Sequence, residues 1–109
     1  MNNGELVHEI ERDGFVIRLY LEPETDAPDW DFESEEDRQE TLRKIDQGIY
    51  LWFCAHVVAL KSGIELGHDY LGGCCYDSVK QFIEEGEYFD DMVNEAVDQA
   101  RETLKRLAA

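Results

Sequence analysis

Positive charge is what this chain has least of. Ten lysines and arginines stand against 26 aspartates and glutamates, leaving a net charge of −16. Affinity for a phosphate backbone comes from Lys and Arg displacing counterions, so the shortage argues against direct binding to nucleic acid. Anionic membrane surfaces are disfavoured for the same reason. Cysteine is scarce too, and its count of three is odd. Cys74 and Cys75 are neighbours, and successive Cα atoms, ~3.8 Å apart, are closer than a relaxed disulfide allows. Reduced thiols in a reducing compartment follow from this. No apolar run reaches the ~20 residues that span a bilayer; the longest, residues 49–60, also contains His56. The opening Met1-Asn2-Asn3-Gly4-Glu5 lacks the basic start and apolar stretch of a secretory signal. The expectation is a cytoplasmic protein with no membrane partner.

What remains is enough to fold. Two Trp, five Tyr and five Phe, with 43% hydrophobic residues, set the chain apart from disordered acidic sequences. Its 109 residues match one hydrophobic core, so a single acidic domain over 1–109 is expected.

Leu6, His8 and Ile10 alternate with Val7, Glu9 and Glu11; Arg12-Asp13-Gly14 then supplies a turn, and residues 15–21 run apolar and β-branched. This pattern predicts a β-hairpin. Residues 22–34 hold both prolines, Pro23 and Pro28, among acids without periodicity, which marks an acidic loop. Ser34 with Asp37 three residues on, and Glu35 and Glu36 between them, starts a helix over 35–46 that stops before Gly48. Residues 49–60 are apolar on both alternating faces and read as a central strand. Lys61-Ser62-Gly63 turns the chain into a shorter strand over 64–70 that ends at Leu71-Gly72-Gly73. A short helix begins at Asp77 or Ser78 and breaks at Gly86. From 88 to 107, Phe89, Val93, Ala96, Val97, Ala100, Leu104 and Leu107 keep helical spacing. The predicted fold is α+β: about four mainly antiparallel strands, a helix inserted after strand 2, and two C-terminal helices packed on the sheet.

The second half resembles a family of small acidic proteins of unknown function encoded by phages, prophages and plasmids. The likeness rests on Tyr50-Leu51-Trp52-Phe53-Cys54, Gly63-Ile64-Glu65-Leu66-Gly67, Leu71-Gly72-Gly73-Cys74 with Tyr76-Asp77-Ser78, and Tyr88-Phe89-Asp90-Asp91-Met92 leading into Ala96 and Ala100-Arg101. It implies a mobile-element origin and raises the prospect of interference with a host defence system. It brings no activity and no assigned residues.

Two acidic clusters are the candidate partner-binding sites. The first holds Asp26, Asp29, Trp30, Asp31, Glu33, Glu35, Glu36 and Asp37; the second holds Glu84, Glu85 and Glu87 beside Tyr88 and Phe89. Carboxylates so placed imitate phosphates: duplex DNA carries one charge per ~1.7 Å of axis, so the net charge matches roughly eight base pairs, or ~27 Å. The blander reading is a solvated surface that keeps the chain soluble. The reading expected from the sequence is a non-enzymatic protein that binds and inhibits a basic, nucleic-acid-handling host protein. The alternative is a general interaction module, monomeric or a homodimer formed through Tyr70, Tyr76, Tyr88 and Phe89. Metal binding by His56, His68, Cys54, Cys74 and Cys75 lacks any Cys-x-x-Cys or helically spaced His pair, and no cofactor is implied. Nucleophilic chemistry would need Cys74 or Cys75 beside His68 with Asp69 or Asp77 to orient it; small thiols tucked under the next helix are the simpler reading.

Overall fold

The computed structural model describes residues 4–25, 28 and 32–108. Its elements run β1 (Glu5–Arg12), β2 (Phe15–Pro23), α1 (Glu35–Asp46), β3 (Leu51–Lys61), β4 (Ile64–Tyr76), α2 (Val79–Glu84) and α3 (Phe89–Ala108). The four strands form one antiparallel sheet in the order β1-β2-β3-β4, as the α+β pattern predicts. Both tight hairpins put two consecutive residues at positive φ, Asp13 (56°) with Gly14 (86°) and Ser62 (53°) with Gly63 (78°). That backbone matches the twist of the strands it joins.

Facing pairs across the ladders sort the strands into two sides. Ile17, Leu19, Phe53, Ala55, Val57, Ala59, Leu71 and Cys74 share the side that α3 covers. Against it α3 lays Phe89, Met92, Val93, Ala96, Val97 and Ala100, all buried. α2 contributes Phe82, whose ring meets Phe53, Tyr76 and Phe89. On the opposite side lie Arg18, Tyr20, Trp52, His56, Val58, His68 and Tyr70. β3 is buried continuously from Ala55 to Leu60, so it is covered on both sides, as its unbroken apolar run requires.

α3 approaches β4 closely because Gly67 has no side chain: a Cβ there would overlap the Ala96 carbonyl and lie 2.9 Å from the Ala100 nitrogen. Two α3 side chains then occupy outward-facing backbone groups of this edge strand. The His68 N–H donates to Gln99 Oε1 (2.7 Å), and Thr103 Oγ1 donates to the Leu66 carbonyl (3.2 Å). Such cover blunts an edge that otherwise templates further pairing.

β4 differs from expectation. The pair Gly72-Gly73 does not end it; pairing shifts between Ala55–Leu71 and Phe53–Cys74, and the ladder resumes to Tyr76. One extra residue on β4, with Gly73 at φ 68°, makes a bulge, the usual meaning of glycine inside a strand. β3 also starts two residues later than predicted, at Leu51. α1 has no buried residue, consistent with its sparse apolar positions. No helix among the described residues is long and apolar enough to cross a membrane.

Candidate functional site

Of the first acidic cluster, Glu33, Glu35, Glu36 and Asp37 stand exposed at the start of α1. Their placement has a local cause. Ser34 caps the helix by accepting the Asp37 N–H (3.1 Å), and acids in the first turn favour the positive end of the helix dipole. A hydrogen bond from Gln39, reinforced by the Arg38 charge, holds the Glu35 carboxyl below its ordinary range. Asp26, Asp29, Trp30 and Asp31 lie outside the described residues. Phe32 is half-buried.

Glu84 ends α2, Glu85 caps it and Glu87 lies in the link to α3; all three are exposed. The two clusters sit on separate elements. Exposed acids also occur on β1 (Glu5, Glu9, Glu11), β4 (Glu65) and α3 (Asp91, Glu95, Asp98, Glu102). Negative charge therefore appears on β1, β4 and all three helices of a body measuring 57 × 27 × 22 Å. The ~27 Å charge length fits these dimensions without selecting one face.

The cations are distributed differently. Arg12, Arg18, Arg38, Arg43, Lys44, Lys80, Arg101 and Arg106 each lie within 4.0 Å of a carboxylate of the same molecule. Lys61 instead sits over the Phe15 ring. Among the described residues, eight of the ten bases thus face an acid of the same molecule, and the surplus charge is negative.

The predicted aromatic patch divides. Phe89 is buried against His8 and Phe82, and Tyr70 lies on the opposite side of the sheet. Tyr76 and Tyr88 remain together, bordering an open groove of about 410 Å³ whose other wall is Leu71 to Cys75 on the outer half of β4. Tyr88 is 52% exposed. Burial pushes the Tyr76 phenol up, with nearby Cys74, Tyr88 and Glu87 adding to the shift. Behind the bulge, Glu24 accepts the Gly73 N–H (2.8 Å). The groove follows from the Gly-Gly bulge, and a glycine pair within a strand is the sequence signal for it.

The suggested catalytic set does not assemble. Cys74 is buried on the α3 side, donates to the Leu71 carbonyl (3.3 Å), and has its thiol pushed up to about 11 by burial. A thiol so raised is a poor nucleophile at neutral pH. Burial likewise raises Cys75. His68 is engaged with His56 instead, Nδ1 to Nε2 at 2.9 Å. Among the described residues, no three His, Cys, Asp or Glu side chains are grouped to hold a metal. Comparison of the chain with protein-family models, with curated proteins and with solved structures finds no match.

Proposed function

We propose that this protein is an interaction module for a basic partner protein, attracted by its surplus negative charge and anchored in the groove beside Tyr76 and Tyr88. The observation that carries the reading is the internal use of the cations: among the described residues, eight of ten lie within 4.0 Å of the molecule's own acids. Cationic surfaces are the complement of what remains. The groove adds an aromatic wall with Glu87 beside it, a setting in which a Lys or Arg side chain gains both ion pairing and cation–π contact. Imitation of phosphates, directed at a nucleic-acid-handling protein, is the form this binding takes if the partner's own ligand is nucleic acid. A role in blocking host defence rests on the family resemblance of the second half.

The test is capture from host lysate at low salt followed by a salt gradient, then titration of the identified partner. The Debye length shrinks from about 10 Å at 0.1 M to about 3 Å at 1 M salt, so affinity should fall steeply. Tyr88→Ala should weaken binding by roughly 2 kcal/mol, about thirtyfold, if the groove holds an anchor. A partner bound equally well at all salt concentrations refutes the electrostatic reading. Indifference to Tyr88→Ala refutes the groove alone.

A further inference from the structure

On the side of the sheet away from α3, His56 is 1% exposed, and its ring is the meeting point of three others. Tyr70 stacks on it face to face, with centroids 4.0 Å apart and planes 12° from parallel. Tyr20 lies tilted at 5.9 Å. His68 is nearly coplanar (17°), with centroids 5.2 Å apart and the facing nitrogens 2.9 Å apart. The centroid distance exceeds the nitrogen distance by about one ring width, so the two imidazoles meet edge to edge along a single N–H···N bond. The lone pairs do not converge on a shared metal.

Among the described residues, the other ring nitrogen, His56 Nδ1, is buried and has no hydrogen-bond partner. This fixes where protons can go. An imidazole has one N–H when neutral and two when charged. In the neutral pair, His56 Nε2–H donates to His68 Nδ1, His68 keeps its proton on Nε2, 3.6 Å from Glu65, and His56 Nδ1 is a bare lone pair. Charging His68 puts a proton on its Nδ1, which requires a lone pair at His56 Nε2 and moves the His56 proton to Nδ1. Charging His56 places a proton on Nδ1 directly. Protonation of either ring therefore creates a buried N–H without an acceptor, which is costly.

We infer that the His56–His68 pair is an acid-sensitive clasp joining β3 to β4, closed when both rings are neutral and opened by the first proton the pair takes up. Opening turns His68 toward solvent and removes the support of the Tyr70 ring, already 58% exposed. The charged and titratable groups around the pair are Arg18, Tyr20 and Glu22 on β2, Cys54 on β3, and Glu65 and Tyr70 on β4. Arg18 is held by Glu9 (2.8 Å). Gln99 of α3 accepts the His68 backbone N–H. Desolvation, then His68, lower the His56 pKa, and Glu22 and Glu65 oppose them. For a histidine lowered by folding, the stabilising contribution is complete above the unfolded value, ~6.5, and is lost as pH falls below it. The opposite trend is expected from overall charge, since acidification relieves the self-repulsion of an anionic protein.

Denaturant unfolding of the full chain at pH 7.5 and 5.5 tests the clasp. The folding constant should fall at least about tenfold on acidification, because the unfolded chain takes up a proton that the closed pair refuses. In His56→Phe the fall should disappear, because the N–H···N pair is gone. A wild type that loses no more stability than His56→Phe between the two pH values overturns the proposal. If that variant does not fold, imidazole NMR of the wild type decides. Coupled changes at His56, His68 and Tyr70 support the clasp, and independent titration near ordinary values with Tyr70 unmoved overturns it.

Discussion

Replacing Gly67 by alanine should force α3 away from the sheet. The added methyl would overlap the Ala96 carbonyl and stand 2.9 Å from the Ala100 nitrogen, against the ~3.5–4.0 Å of an ordinary carbon contact. Both obstacles are helix backbone and cannot rotate aside. α3 must shift by an ångström or so, and a gap of ~0.5–1 Å already forfeits a quarter to a half of each dispersion contact it widens. The contacts at stake include Met92, Val93, Ala96, Val97 and Ala100. The bonds from Gln99 and Thr103 to β4 would lengthen with them. Overpacking usually costs ~1–3 kcal/mol, and immovable neighbours place this site at the upper end, about 3 kcal/mol. In a domain of this size that lowers the melting temperature by roughly 12–24 °C. Urea unfolding measures it, with Gly72→Ala as control, where the added methyl meets only the flexible Glu24 carboxylate at 3.2 Å. A Gly67→Ala protein within about 0.5 kcal/mol of wild type would refute the close-approach reasoning.

Ser34→Ala removes the α1 cap and should cost about 1 kcal/mol. Because α1 buries nothing, the loss should appear as faster amide exchange at the start of α1, with the global unfolding midpoint nearly unchanged. Cys74, raised by burial to about 11, contributes stability that is full below the ordinary thiol value and is lost as pH rises toward 11. Wild type should lose roughly 2–3 kcal/mol over that interval, and Cys74→Ala should lose less; equal alkaline losses would count against burial of the thiol.

Much of the fold was legible because local chemistry and tertiary environment agree. Arg12-Asp13-Gly14 and Lys61-Ser62-Gly63 carry the residues that a tight hairpin needs, and both form one. α1 spans the predicted 35–46 because Ser34 both looks like a cap and acts as one. Gly72-Gly73 has the composition of a turn, so the sequence predicts a strand that stops there, and only pairing with residues 51–53 of β3 turns it into a bulge. The acidic residues were plain in the sequence, whereas their spread over β1, β4 and all three helices was not, since charge patterning reports number and spacing and not direction. The meeting of His56 with His68 depends on a cross-strand register set by a second shift of pairing, between Leu60–Glu65 and Ala59–Gly67. Separate alternation patterns in β3 and β4 do not encode that register.

The order of synthesis adds a consequence of its own. All four strands precede α3 in the chain, so the sheet leaves the ribosome with Ile17, Leu19, Ala55 and Val57 uncovered until the helix that seals them has followed. During that interval an unsealed apolar sheet is open to association with other nascent chains. The surplus negative charge of residues 1–76, 17 acids against 6 bases, is then the protection at hand, keeping unfinished molecules apart by mutual repulsion.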